Sequence, residues 1–487
     1  MKTDYDVIIL GSGPAGFSCA MQSSKFGKKV LIVEANEDFL GGTWINTGTV
    51  PSKALRETAR IIKRFQKQFP SEDKIKPYQK YKMEDLLKYK ANILKSKNSK
   101  VEHDLVKNEV DTIRGFGYIK SNSEVEVTNS AGEKKLFTTK NILIATGSRP
   151  VKPTNFTVDG KKILGYSSIL NLTHIPHRLV IVGSGVNALE YSTTFASLGS
   201  RVSILSDQNE FLPFLDHEIK EQLNIILEKL KIETTTNVKN VEVIDNSLRN
   251  TTEVKYQIEG DKESRRSYVI ETEHILYLGG KIPNTDAIGI KKLKVDTTED
   301  GHLLVDSDYH TNIANIYAAG DVIGFPALAS ASFAQGRIAA CHMFGVKTES
   351  SLYQIPFAIY SIPEIANIGF TEHEARDKGF NVNVGRAYYN SITQGDVSNQ
   401  QDGMLKLVFD NDSYKLLGIH IIGERASDLI HLGQAVMCLG GDIFYFIDHV
   451  LNYPTYSEAY RIAAFNGINR VHEAGVKYKK ILKRKTN

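Results

Sequence analysis

The chain carries one supersecondary pattern twice. Residues 6–34 read DVIILGSGPAGFSCAMQSSKFGKKVLIVE, and residues 179–206 read LVIVGSGVNALEYSTTFASLGSRVSILS. Each copy is an apolar run, a Gly-rich turn, an amphipathic stretch, a second Gly turn and another apolar run. Short apolar runs bounded by glycine suit buried strands, and the stretch between them suits a helix. The spacing also repeats: Gly11 to Glu34 matches Gly183 to Ser206. Two βαβ units predict an α/β chain with two Rossmann-like dinucleotide-binding domains. A length of 487 residues is too great for one core and agrees with several domains.

The first turn places Gly11, Gly13 and Gly16 after the strand and at the opening of the helix. Such glycines allow the tight turn and let backbone N–H groups and the helix N-terminus meet a pyrophosphate. Glu34, ending the next strand, is positioned to accept hydrogen bonds from an adenosine ribose. In the second turn, Gly183, Gly185 and Ala188 take the same places, and Ser206 stands where the acid would be. Without a carboxylate there a 2′-phosphate is not repelled, yet the turn Ser206-Asp207-Gln208-Asn209 has no Lys or Arg to pair with one. Arg201 begins the strand, at its wrong end. The site is therefore expected to accept NAD and NADP by hydrogen bonding, without strong NADP selectivity. A third element, residues 311–340, runs a strand into Gly320-Asp321 ahead of a helix. Asp321 could accept a hydroxyl from a ribityl or ribose chain, or simply cap the helix.

Between the repeats, residues 54–108 are polar, Lys-rich and helical in pattern. SEVEVTNSAGEKKLFTTKNILIATG reads as a hairpin about a Ser-Ala-Gly turn, and a similar pattern recurs at 252–279. From about residue 356 the pattern is α+β, with no nucleotide loop of its own. The expected division is 1–150, 151–282, 283–355 and 356–475, followed by a basic tail at 476–487. A formal charge of +4 gives no case for nucleic-acid binding, and no apolar run is long enough for a membrane helix. The basic excess is local: KYKKILKRKTN closes the chain and reads as a solvated tail. Cys19, Cys341 and Cys438 are far apart in apolar helical contexts, so core packing is expected, with neither a metal site nor a disulfide framework. This usage fits a reducing cytoplasm, and MKTDYDVIIL leads straight into a strand, leaving no room for a signal peptide.

Together these residues resemble the flavoprotein disulfide reductase family. The resemblance rests on the two Gly-rich units, Gly-Gly-Thr…Pro-Ser-Lys in GGTWINTGTVPSK (41–53), Ala-Thr-Gly at 145–147 and Ala-Ala-Gly-Asp at 318–321. Within the family the chain is similar to soluble pyridine nucleotide transhydrogenases. Shared features are ATGSRP (145–150), PFLD (213–216), GDVIGFPALASA (320–331) and Gly-Glu-Arg-Ala (423–426), with IYSIPEI, LNYPT and SEAYRIAAFNGINR shared in character. The resemblance implies a domain for FAD, an inserted NAD(P) domain, a central domain and a C-terminal α+β dimerisation domain, hence a homodimer. It implies that Gly11, Gly13, Gly16, Glu34, Gly42, Thr43, Gly117, Gly147, Gly320, Asp321 and Ala329 serve FAD. Gly183, Gly185, Ala188, Ser206 and Gly280 would serve the nicotinamide nucleotide. Lys53 and Glu190 would pair near the flavin N5 region, orienting the ring and stabilising its negative charge on reduction.

Two departures bear on the chemistry. The family's two redox cysteines fall at Trp44 and Thr49, and its acid–base His falls at Tyr453, while Glu458 remains. A phenol is a poor general base at neutral pH. The thiols and their base are therefore missing together, as in a consistent loss of one half-reaction. The first reading is ping-pong hydride transfer from NADPH to NAD through FAD, without a disulfide. The second is an NAD(P)H reductase of a small-molecule acceptor such as a quinone or oxygen. The third is a non-enzymatic FAD-binding scaffold, against which retained Lys53 and Glu190 argue. Trp44 is expected at or near the flavin face left by the disulfide, with ordinary core packing as the alternative.

Overall fold

The structure is a computed structural model, and it describes residues 3–38, 40–69, 77–246, 251–260, 266–348 and 354–471. The basic tail expected at 476–487 lies outside the described residues.

In chain order, the first repeat is strand β1 (Tyr5–Leu10), helix α1 (Pro14–Lys25) and strand β2 (Val30–Glu34). The Lys-rich segment supplies α2 (Thr49–Gln68) and α3 (Met83–Lys107), and β3 (Lys134–Ile144) follows. The second repeat is β4 (Arg178–Val182), α4 (Val186–Ser197) and β5 (Arg201–Leu205). Then come α5 (His217–Lys229), β6 (His274–Tyr277), β7 (Ile316–Ala318) and α6 (Ala329–Met343). The C-terminal part holds β8 (Glu364–Gly369), α7 (Glu372–Asp377), β9 (Val382–Tyr388), β10 (Met404–Asp410) and β11 (Leu416–Gly423), then α8 (Ala426–Cys438) and α9 (Glu458–Ile468).

The chain divides into two compact units. The first comprises Met1–Leu55, Met83–Thr173 and Gly279–Leu352; the second comprises Arg56–Lys82, His174–Leu278 and Tyr353–Asn487.

In the first unit β1 lies between β2 and β3, all parallel, with Val7 opposite Val30 and Asn141. The hairpin read from the sequence is present: Glu124–Thr128 pairs antiparallel with β3. Strand β7, much later in the chain, pairs parallel with β3 and extends the same sheet. Alternation along the strands builds two cores, as a two-residue repeat requires. Val7, Ile9, Ile32 and Leu143 face one side, with Cys19 of α1 and Ala339 of α6. Ile8, Leu10, Leu31, Ile142 and Ile144 face the other, against Val125 and Val127. Helices α1 and α6 pack closely because Gly336 lacks a Cβ, which would overlap the Ala15 carbonyl.

In the second unit β4 lies between β5 and β6, again parallel. A separate antiparallel sheet joins Val238–Asn246, Thr251–Ile258 and Tyr268–Thr272. The C-terminal sheet is antiparallel, in the order Phe357–Ile359, β8, β11, β10, β9. One face carries Leu405, Leu407 and Phe409 against α8 and α9. On the other face, Val408 packs with Ala375 of α7.

Two of the three cysteines meet the packing expectation: Cys19 and Cys341 are buried, and burial raises the Cys19 thiol to about 12. Cys438 does not. It ends α8 exposed, with its thiol 3.1 Å from Gln354 Oε1, because the apolar face of α8 points the other way. Among the described residues, no helix is long and apolar enough to cross a membrane. Nor does any group of three or more His, Cys, Asp or Glu form a metal cluster there.

Candidate functional site

The carboxyl ends of β1, β2, β3 and β7 converge in the first unit, where open parallel sheets bind ligands. Between β1 and α1, the turn Gly11–Gly13 is held from below. The Gly11 N–H donates to the Val33 carbonyl at 2.8 Å, and Ala145 N–H donates to the Leu10 carbonyl at 2.9 Å. A Cβ at Gly16 would overlap the Gly11 carbonyl, so close helix–strand approach requires glycine there. Gly13 differs: a Cβ would meet nothing within 4 Å. It N-caps α1 without any side-chain cap, so the helix presents its N-terminus to an open space. Gly42 has φ +69°, and its Cβ would lie 2.8 Å from Gly13 Cα, so the 41–43 segment passes directly beside the turn.

Glu34 is 9% exposed and organises this turn. Its Oε2 accepts from the Ser12 N–H at 3.0 Å and the Ser12 hydroxyl at 2.5 Å, and Oε1 accepts from the Asn36 N–H at 2.8 Å. Ser12 Oγ in turn accepts from the Gly41 N–H at 2.9 Å. One carboxylate thus ties the Gly-rich turn to the Gly41–Gly42 segment. Ser12 lies inside the motif, but no spacing rule singles it out.

Gly147 and Asp321 meet at the same edge. Ser148 donates its hydroxyl to Asp321 Oδ2 at 2.7 Å, and Lys281 Nζ lies 3.7 Å from that oxygen. The Gly320 N–H donates to Gln335 Oε1 at 2.9 Å, fixing the turn before α6, which Ala329 opens. Asp321 makes no cap of that helix; a short 3-10 turn, Asp321–Ile323, intervenes. Gly117 is buried, and its missing Cβ leaves room for the Leu10 and Val33 side chains. Its visible role is packing beneath the turn.

In GGTWINTGTVPSK, Thr43–Asn46 is one helical turn, and Thr49 opens α2 with Lys53 in its first turns. Trp44 packs against the core cluster of Val7, Ile9 and Cys19, edge-on to Phe333 with ring centroids 5.3 Å apart. The indole packs on this cluster while staying partly exposed. Its Nε1 is buried without a hydrogen-bond partner among the described residues.

The second turn is built like the first. Gly183 packs over the Leu278 carbonyl, Gly185 N-caps α4 facing open space, and Ala188 is fully buried against the strand. Ser206 departs from expectation. It is fully buried, and its Oγ accepts from the Gln208 N–H at 3.2 Å while its own N–H donates to the Thr235 carbonyl. The hydroxyl serves the turn, and Asp207 is the first exposed side chain after β5. Asp207 lies near enough to Tyr277 to help burial raise that phenol. Gly280 falls in the first unit, where its carbonyl accepts from the Val151 N–H at 3.1 Å. Glu190 is 8% exposed, and its Oε1 accepts from the Tyr360 N–H at 2.9 Å. Lys53 and Glu190 fall in different units.

At the position of the missing His, Tyr453 is 68% exposed, with its hydroxyl 2.8 Å from Thr393 Oγ1. Burial raises the Glu458 carboxyl, and its Oε2 has no hydrogen-bond partner among the described residues.

Comparison with known proteins decides the family. The model described as pyridine nucleotide-disulphide oxidoreductase matches residues 5–336, and that of its dimerisation domain matches 355–464. The chain belongs to the pyridine nucleotide-disulphide oxidoreductase family. It is 36% identical over 472 residues to a soluble pyridine nucleotide transhydrogenase of Marinomonas sp., covering 96% of this chain and 99% of that one. It is 34% identical over 473 residues to a protein of that name from Pseudomonas aeruginosa, covering 96% and 99%. Its fold is that of an HOCl-induced flavoprotein disulfide reductase from Escherichia coli, solved as a Cu(II) complex, at TM-score 0.83, 24% identity and 96% and 99% coverage. LpdA from Mycobacterium tuberculosis gives TM-score 0.84 at 22% identity, covering 94% and 98%.

As a pyridine nucleotide-disulphide oxidoreductase the protein is a homodimeric enzyme of FAD and nicotinamide nucleotides. The residues present fit FAD. The open space at Gly13, the uncapped N-terminus of α1 and the partly accessible Asp321 carboxylate offer what a pyrophosphate and a polyhydroxyl chain require.

Proposed function

We propose that the protein transfers hydride between nicotinamide nucleotides, from NADPH to NAD, with FAD as the carrier and no redox-active disulfide. The observation that carries this reading is the occupant of the disulfide segment. Trp44 stands at one cysteine position with its ring partly buried against Phe333 and the core cluster, and Thr49 stands at the other. None of the three cysteines lies in residues 41–53. Relatives at 34–36% identity named soluble pyridine nucleotide transhydrogenase support the same reaction.

When bound, FAD would supply the hydride-accepting ring. The chain's own residues bind and orient. Gly11, Gly13, Gly16, Gly42, Thr43, Gly147, Gly320, Asp321 and Ala329 would hold the dinucleotide, with Glu34 and Ser12 keeping its turn in shape. Gly183, Gly185, Ala188 and Gly280 would serve the nicotinamide nucleotide. Lys53 would place positive charge beside the reacting ring, and Glu190 would orient it. In this reading the FAD domain comprises 1–150 and 283–355, and the nucleotide domain is 151–282. No proton-shuttling side chain is needed, which agrees with Tyr453 in place of a base. The test is anaerobic: NADPH should bleach the bound flavin, and NAD added afterwards should restore its colour in a ping-pong pattern. A requirement for both nucleotides bound at once would contradict it.

A second reading, reduction of a small-molecule acceptor such as a quinone or oxygen, has one observation in its favour. Ser206 is closed off and Asp207 is exposed beside the second turn, an arrangement unsuited to a 2′-phosphate. Turnover of NADPH with an NAD analogue, set against turnover with quinones, separates the two.

A further inference from the structure

Lys406 lies in the middle of the C-terminal sheet, 1% exposed, a costly place for an ammonium group unless carboxylates surround it. Three do. Nζ lies 2.9 Å from Asp216 Oδ1, 2.7 Å from Glu218 Oε1 and 2.8 Å from Glu372 Oε2. Asp216 is the N-cap of α5, accepting from the Glu218 N–H at 3.1 Å, and its Oδ2 also accepts from the Glu372 N–H at 3.2 Å. Arg386 pairs with Glu218 through Nε and Nη2, and Arg376 with Glu372 at 2.9 Å. Three cations therefore face three carboxylates.

The cluster belongs to a polar row across the sheet. Register places Asn367 opposite His420, His420 opposite Lys406, and Lys406 opposite Arg386, so all four share one face. Three members carry a buried atom without a hydrogen-bond partner among the described residues: Asn367 Oδ1, His420 Nδ1 and Arg386 Nη1. An apolar face would avoid these desolvation costs, so burial area does not account for the row. Buried ionic groups are best attested as devices that fix register. What is registered here is α5, whose N-terminus is held to the sheet by Lys406.

The same contact fixes the 206–216 segment. That segment leaves the carboxyl end of β5 beside the second Gly-rich turn, where the Asn237 N–H donates to the Gln208 carbonyl, and it ends at Asp216. We propose that Lys406 is a positioning residue for the nicotinamide nucleotide site: by holding Asp216 it sets the geometry of the 206–216 segment, and hence nucleotide affinity, from within the dimerisation domain. The inference rests on the reading above that the Gly183 turn takes this nucleotide.

The test measures nucleotide affinity in the FAD-loaded protein by flavin-fluorescence titration with NAD and NADP, which leave the oxidised flavin unreduced, and kcat is read in a separate turnover assay. Lys406→Met alone strands carboxylates, so it is paired with the double variant Lys406→Met/Asp216→Asn, and with Glu372→Gln, which keeps a hydrogen-bond acceptor for Lys406. About a tenfold rise in nucleotide Kd is expected for the Lys406 variants and about threefold for Glu372→Gln, with FAD content and kcat at saturation near the parent values. Lys406→Arg should recover part of the loss. Unchanged Kd in the FAD-loaded variants overturns the proposal. So does loss of FAD together with nucleotide binding, because the role would then be one of general stability. Failure of the functional reading is seen separately, in a parent protein that binds neither nucleotide.

Discussion

Arg56 Nη2 lies 2.9 Å from Glu364 Oε1, and the two side chains are only 9% and 10% exposed. Arg56 sits on α2, one turn after Lys53. Its guanidinium also donates to the Ser361 carbonyl at 3.1 Å, and Glu364 Oε2 accepts from the Ser427 hydroxyl at 2.7 Å. Every charged partner is thus held twice. Arg56→Met should leave Glu364 buried and uncompensated, costing about 3–5 kcal/mol. A urea midpoint measurement checks this, and Arg56→Met/Glu364→Leu should recover much of the loss.

Neighbouring glycines should respond differently to the same change. Gly13→Ala adds a methyl group to open space at an extended backbone position, so the fold should be retained while FAD content falls. Gly16→Ala drives a methyl group into the Gly11 carbonyl, so overpacking of about 1–3 kcal/mol should lower stability itself. Flavin absorbance per chain, read beside the thermal midpoint, distinguishes the two.

The Lys406 cluster has a signature in acid. Burial raises the Asp216, Glu218 and Glu372 carboxyls, but His420 and Lys406 beside Asp216, Arg386 and Lys406 beside Glu218, and Lys406 and Arg376 beside Glu372 more than offset this and hold all three below their ordinary values. The unfolded chain therefore takes up protons first as pH falls. Their contribution to stability should be complete above the unfolded range, about pH 4–5, and should be lost as pH drops through the lower folded values. Urea midpoints followed from neutrality to acid should show the fall, and Glu372→Gln should make it shallower.

Asp207 should control nucleotide choice. Asp207→Arg replaces an exposed carboxylate beside the second turn with a group that pairs with a 2′-phosphate. We expect kcat/KM for NADPH relative to NADH to rise by about tenfold or more, roughly the worth of one charge-assisted contact. Stopped-flow flavin reduction with each nucleotide gives the ratio directly, and an unchanged ratio places the 2′-position elsewhere.

Sequence legibility followed the range of the contacts. The βαβ units at Gly11 and Gly183 and the hairpin into β3 are local, so periodicity and turn residues display them. The pairing of β7 with β3 joins distant stretches, and only the Ala-Ala-Gly-Asp resemblance hinted at it. At the site, Glu34 was legible as an acid at the right spacing, but its bonds to Ser12 were not, because spacing does not show where a carboxylate turns. Ser206 and Asp207 mark the same limit: the motif position is buried, and the next residue is exposed. In MLKLVFD, alternation would read Lys406 as a solvent-facing lysine, since the carboxylates that make its burial tolerable lie on α5 and α7. Gly117 was singled out only by the family resemblance, and its visible contacts are with Leu10 and Val33.

The central claim, a flavoenzyme without a second redox centre, is tested most directly by counting electrons. In an anaerobic dithionite titration of the purified holoenzyme, reduction should be complete at about two electrons per FAD, with no charge-transfer band from a thiolate. Uptake of four electrons per FAD would show a second centre and contradict the account.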